Sequence, residues 1–359
     1  MRPCSNKEEI SSTAKLIYSV TLCKEEHPEC RVSAIVSALE KAHLTPKFRG
    51  SDITQLQNCK TATFEDVGDG HFISPPKKAK YSVSEEGVDG SGDTHTTDTT
   101  FKESLVSTGA EISLVDYVVA SAKITKNPPI GFALICPHAV PDGPLGFCSG
   151  GNVAIAARHA QRVHGLQRVF IIDISAHPGK GTNDMFYDDP DVFFLSIHQD
   201  GILPGAGKID HIGRGKGAGA TLNVPLPQFS GDFSMQTVLC QVIVPCTQRF
   251  KPDIILVSAG YDAHVQDPQS KLQFLTRTYY LLASCIKKLA EDLCGGRCVF
   301  FLEGGDNLES LSNSVADSFR ALMGEPSNSA EFDSRYFVIM EPYLGARQAV
   351  QKIKQIHSL

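Results

Sequence analysis

Histidine and aspartate residues recur just after short apolar runs in this 359-residue sequence. RVFII leads into Asp173-Ile-Ser-Ala-His177, and DIILVSAG into Tyr261-Asp262-Ala263-His264. GFALIC leads into Pro137-His138, VFFLSI into His198, and FFLEGG into Asp306. Neutral imidazoles and carboxylates are the donors that hold a catalytic divalent metal, with an open position left for an activated water. A polar residue after any single strand is ordinary, because loops begin there. Several of these residues at successive strand ends point instead to a metal-dependent hydrolase.

For such residues to meet, the apolar runs must lie side by side. From Gly131 onward, nearly continuous apolar segments alternate with helical periodicity, which predicts a parallel sheet covered by helices on both faces. Ligands in such sheets bind at the carboxyl edge of the strands, where the residues named above fall. LIYSV (Leu16–Val20) reads as a further strand, and Val32, Ile35, Val36 and Leu39 recur at helical spacing between Pro28 and Leu44. The stripe Leu281, Leu282, Cys285, Ile286 and Leu289 reads as one buried helix face. Residues 60–101 are polar and rich in Gly, Ser, Thr and Asp, and read as a long loop. GRGKGAGA (Gly213–Ala220) fits no phosphate-loop pattern and reads as a flexible surface loop near the site. His198 and His264 lack partners at metal-ligand spacing and read as structural, hydrogen-bonding histidines.

Composition limits the rest. Hydrophobic residues make up 42% of the chain and charged ones 21%, so a sizeable core can form. A net charge of −6, without a basic block longer than Lys77–Lys80, argues against direct nucleic-acid binding. The eleven cysteines are an odd number and show no C-x-x-C spacing, so reduced, buried thiols are expected rather than a disulfide framework or structural zinc. No run of about 18 apolar residues suggests a membrane span. The start, MRPCSNKEEISSTAK, has no apolar signal core and is too acidic for a transit peptide. The expectation is an intracellular chain of the nucleus or cytoplasm, or of an organelle if an address precedes this sequence.

Five segments, in this order, carry a resemblance: HPECRVSAIVSALE, GFCSGGNVAIAARHA, DISAHPGKGT, SAGYDAH and FFLEGGDNLESLS. Together they resemble the zinc-dependent histone deacetylase and acetylpolyamine amidohydrolase family, most of all its class II-like plant members. The resemblance implies an arginase/deacetylase-like three-layer α/β fold with a mostly parallel central sheet. A tail over 1–15, a single deacetylase-like domain over 16–330 and a C-terminal extension over 331–359 packing on it are the expected divisions. It also implies Zn²⁺ and hydrolysis of an acetyl-lysine peptide or an acetylated small amine, in a family whose members often sit in protein complexes.

The resemblance implies the site residues too, and several depart from its pattern. The family's metal ligands fall on Ser175, where the family has Asp, and on His177 and Asp262. A serine hydroxyl is a poor, neutral donor, so one ligand of three is missing. The tandem catalytic histidines are reduced to His138, in a segment three residues shorter than the family's, with Asp173 kept to orient it. Lys180 would oppose a dication if it pointed inward. The tyrosine that donates to the oxyanion in the family is Asp306, which as a carboxylate cannot donate. Phe147 and Gly305 match the substrate-tunnel wall and the loop before the tyrosine. Two readings follow: a catalytically degenerate homologue that binds acetylated ligands or a protein partner, or a weakly active zinc amidohydrolase with a rebuilt metal site.

Overall fold

A computed structural model describes residues 13–21, 31–63, 66, 98–135 and 151–359. The strands are β1 Leu16–Val20, β2 Ile53–Gln55, β3 Ile130–Leu134, β4 Val169–Asp173, β5 Val192–Gln199, β6 Thr221–Leu226, β7 Ile254–Ala259 and β8 Cys298–Leu302. The helices are α1 Arg31–Lys41, α2 Pro46–Arg49, α3 Asp98–Ala122, α4 Gly151–His164, α5 Lys180–Phe186 and α6 Asp232–Val238. They continue with α7 Val244–Phe250, α8 Thr276–Cys294, α9 Leu308–Met323, α10 Ser329–Asp333 and α11 Tyr343–His357.

The eight strands form one sheet in the order β2-β1-β3-β8-β7-β4-β5-β6. Every pairing between them is parallel. Their sequences explain this, since IGFAL, VFIID, VFFLSIHQ, IILVSA and CVFFL are buried at every position and show no alternation of polar and apolar residues. A strand buried on both faces needs helices above and below it. One layer contains α3 packed on α4; the other contains α1, α8 and α9. Beneath them, Phe132 stacks on Phe300 with ring centroids 5.6 Å apart and meets Phe319 of α9 at 5.1 Å.

The helix between β6 and β7 changes pitch midway. Leu239–Ile243 is a π turn, and α7 follows immediately with Pro245 as its second residue. Proline has no N–H and its ring crowds the carbonyl four residues back, and the wider turn accommodates both. The C-terminal α11 buries Ala346, Val350 and Ile353 and packs on both edge strand β6 and α6.

Some elements differ from expectation. The polar stretch over 60–101 yields a helix at its end, because α3 starts at Asp98, and residues 67–97 lie outside the described ones. β2 and β6 carried no sequence signal: β2 has three residues and β6 contains Pro225. The Gly213–Ala220 loop is neither loose nor near the strand-end histidines. It precedes β6, at the amino edge of the sheet, and a Cβ on Gly217 would lie 2.6 Å from the Asp188 backbone. One helical window, Leu105–Ala122 in α3, reaches a mean hydropathy of 1.2 and is long and apolar enough to cross a membrane by composition alone. It is 67% buried and packs on β1, β3 and β8, as a core helix does. Six cysteines among the described residues, Cys59, Cys240, Cys246, Cys285, Cys294 and Cys298, are free thiols.

Candidate functional site

β4, β7 and β8 are consecutive neighbours in the sheet, so the loops leaving their carboxyl ends share one place. The β4 loop brings Asp173, Ser175 and His177, the β7 loop brings Asp262, and the β8 loop brings Gly305 and Asp306. Two close approaches, one to backbone and one to a side chain, bring the loops together. A Cβ on Gly260 would fall 2.7 Å from the Ser175 Cα, and one on Gly304 would fall 2.8 Å from the Asp262 Cγ. Glycine at both positions lets the neighbouring loops touch.

Asp262 is the hub. Its Oδ1 accepts the Ala176 amide at 2.8 Å. Its Oδ2 accepts the Ser175 hydroxyl at 3.2 Å and lies 2.8 Å from His177 Nδ1. Ser175 Oγ in turn accepts the His177 amide at 3.2 Å. The Asp262 carboxylate is 6% exposed, whereas the His177 ring is 42% exposed and faces the opening. The hydrogen bond to Asp262 raises the His177 pKa, with burial opposing it.

Asp173 lies underneath, 3% exposed. Its Oδ1 accepts the Ser175 amide at 3.1 Å, and a Cβ on Gly179 would lie 2.3 Å from its Oδ2. Burial pushes this carboxyl up to about 8, against the Ser175 amide and with the nearby Asp262 charge adding to the rise. His138 and Phe147, the expected partner of Asp173 and the expected tunnel wall, lie outside the described residues.

The β8 loop is braced by residues the sequence did not single out. Asp267 accepts the amides of Asp306 at 2.6 Å and Asn307 at 3.1 Å, and Gln269 donates to Asp306 Oδ2 at 2.5 Å. From α1, Arg31 donates to the carbonyl of Glu303 at 3.1 Å and sits 4.0 Å from Asp306 Oδ1. Gly305 has φ +129°, a conformation side chains rarely adopt, and Asn307 caps α9 by accepting the Ser310 amide at 3.0 Å. Asp306 is thereby tied to Gln269 and Arg31. An aspartate three residues past a motif and an arginine at a helix start look the same in sequence whether they brace a loop or not, so neither carried a signal.

Three expectations about neighbours resolve clearly. Lys180 is exposed and pairs with Asp184 at 2.6 Å along α5. His198 is structural: Nδ1 lies 3.0 Å from Ser196 Oγ and Nε2 lies 2.9 Å from the Gly207 carbonyl. His264 is also buried, and its Nδ1 accepts the Gln266 amide at 3.1 Å.

The sequence profile of the histone deacetylase domain matches residues 25–322. The chain belongs to the histone deacetylase family. Its sequence is 60% identical to Histone deacetylase 14, chloroplastic, of Arabidopsis thaliana over 361 residues, covering 96% of this chain and 85% of that protein. It is 55% identical to Histone deacetylase 10, chloroplastic, of Oryza sativa subsp. japonica over 347 residues, covering 94% and 78%. The crystal structure of the HDA15 HD domain superposes with a TM-score of 0.75 at 26% identity, covering 96% of this chain and 94% of that one. The α/β fold expected from the alternating segments is therefore the deacetylase fold, with an all-parallel sheet.

Membership in the histone deacetylase family implies zinc. The donors converging here are His177 Nδ1, one Asp262 oxygen and the neutral Ser175 hydroxyl. Catalytic zinc takes three strong protein donors and keeps a fourth position for water. Among the described residues, this donor set is one strong ligand short. Asp173 and Asp306 do not complete it: among the described residues, the group of three convergent His, Cys, Asp or Glu atoms is Asp116, His159 and His164, on α3 and α4.

Proposed function

We propose that this histone deacetylase-family protein binds acetylated lysine side chains or acetylated small amines and has lost most or all of the hydrolytic step. The observation that carries this reading is the closed Ser175–Asp262–His177 network. The Ser175 hydroxyl both donates to Asp262 and accepts from the His177 amide, so the place of a carboxylate ligand holds a satisfied neutral group. Asp306, at the position of the family tyrosine, cannot stabilise an oxyanion while ionised, and loss of one such donor costs roughly 10²–10³ in rate. His138 stands alone where the family carries two histidines.

A weakly active amidohydrolase is the second reading, favoured by the retained 2.8 Å His177–Asp262 contact and by 60% identity to a protein named a deacetylase. In that reading His138, oriented by Asp173, serves as the base. The names of the two plant relatives favour the chloroplast as the location, and a protein complex is the setting in which binding without turnover would act.

Calorimetry with an acetyl-lysine peptide and its unmodified counterpart, alongside an acetate-release assay with and without chelator, separates the readings. Binding selective for the acetylated peptide, without acetate release, is the expected result. Chelator-sensitive release that disappears in His138→Ala would establish the second reading in its place.

A further inference from the structure

We propose that Asp116, His159 and His164 form a site for a first-row divalent transition ion that bridges α3 and α4, remote from the Asp173–Asp262 cluster. His159 Nε2 lies 2.6 Å and His164 Nε2 2.7 Å from the same oxygen, Asp116 Oδ1. One ligand atom from each of the three lies within 4.8 Å of the others. The two rings stand edge to face, 77° apart, so each can present a nitrogen lone pair to a common point.

The surroundings suit a cation. Both imidazoles are sheltered, at 10% and 13% side-chain exposure, while Asp116 is 49% exposed and leaves an approach from solvent. Each helix runs into a strand of a parallel sheet, α3 into β3 and α4 into β4, so both end at the amino edge. His164 is the last residue of α4, where the helix carbonyls favour positive charge. The nearest arginine in sequence, Arg158, is paired with Asp189 at 2.5 Å.

Two imidazoles and a carboxylate with room for water form the donor set that zinc and its neighbours take. Without an ion, each Nε2–H donates to Asp116. With one, both Nε2 atoms would turn a lone pair to the metal, the Nε2 proton of each ring moving to Nδ1. The ion's role is to fasten α3 to α4, the helix that directly follows residues 136–150, where His138 and Phe147 fall. This inference does not depend on the reading of the Asp262 cluster.

The test uses the full chain carrying His177→Ala, which disables the Asp262 cluster. Calorimetric titration with Zn²⁺ alone should show one equivalent bound per chain, with a rise in Tm, since an ion that binds only the folded state stabilises it. Adding His159→Gln and His164→Gln should abolish both effects. Adding Asp116→Asn, which keeps the side-chain shape, should weaken binding by at least about 10-fold, the lower end of what even an outer-shell partner is worth. Absence of stoichiometric Zn²⁺ binding in His177→Ala, or binding that Asp116→Asn leaves unchanged, would overturn the proposal and leave two histidines capping a carboxylate.

Discussion

Ser175 differs from a ligand by one functional group. Its hydroxyl occupies a place where a carboxylate could reach the same point as His177 Nδ1 and Asp262 Oδ2, since all three already share hydrogen bonds of 2.8–3.2 Å. Ser175→Asp should therefore raise Zn²⁺ affinity by orders of magnitude at this cluster, read by calorimetry with His177→Ala as the control. If the affinity does not change, the segment around His138 rather than the missing carboxylate is the principal defect. In the Ser175→Asp background, Asp306→Tyr should raise kcat by roughly 10²–10³ and leave KM nearly unchanged, because an oxyanion donor acts chiefly in the transition state. An effect confined to KM would mean that the residue at 306 contacts the bound substrate instead.

At the scale of elements, the site depends on loops pressed together, and glycine permits this where a side chain would not fit. The clearest case lies away from the site. Gly109 of α3 faces the segment after β2, whose Ala62 amide donates to the Leu105 carbonyl at 2.9 Å. A Cβ on Gly109 would lie 1.8 Å from the Lys60 carbonyl oxygen, a backbone atom that cannot rotate away. Gly109→Ala should destabilise the fold by about 1–3 kcal/mol through overpacking, despite the better helix propensity of alanine, and a lowered urea midpoint would show it. A midpoint that rises would mean that the 60–62 segment moves freely off α3. The same scale explains what was legible in the sequence. The strands that lead to Asp173, Asp262 and Asp306 are fully buried, so continuous apolar runs announced both them and the residues that follow them. β2 is too short and β6 too polar to announce itself. Asp267 and Arg31 act on backbone atoms and Gln269 on a side chain across loops, contacts that leave no pattern. His159 and His164 are five apart on α4, off the three- or four-residue spacing that marks a shared helix face, and their partner Asp116 sits on another helix.

For the molecule as a whole, buried imidazoles make stability depend on pH in a predictable direction. Burial lowers His198 to about 4, against the Gly207 carbonyl bond, and lowers His357 of α11 to about 4, with the nearby Arg249 charge adding to the effect. In the unfolded chain both titrate near the ordinary value of about 6.5. The folded state thus keeps them neutral, and between those values the unfolded state binds more protons. The stability they contribute is complete above pH 6.5 or so and is lost as pH falls toward 4, at up to about 1.4 kcal/mol per pH unit for each group. Urea midpoints should therefore fall between pH 7 and pH 4.5. His357→Gln should flatten part of that slope, since the cost of protonating a buried ring at the α11–α7 contact is removed; there His357 also offers its carbonyl to Arg249 at 2.5 Å. An unchanged slope in that variant would assign the acid sensitivity to the other buried imidazoles, His198 in the sheet and His264, which burial also lowers to about 4. In that case α11 would already be released from β6 before the transition, which amide hydrogen exchange along 343–357 would record as loss of protection at pH 5.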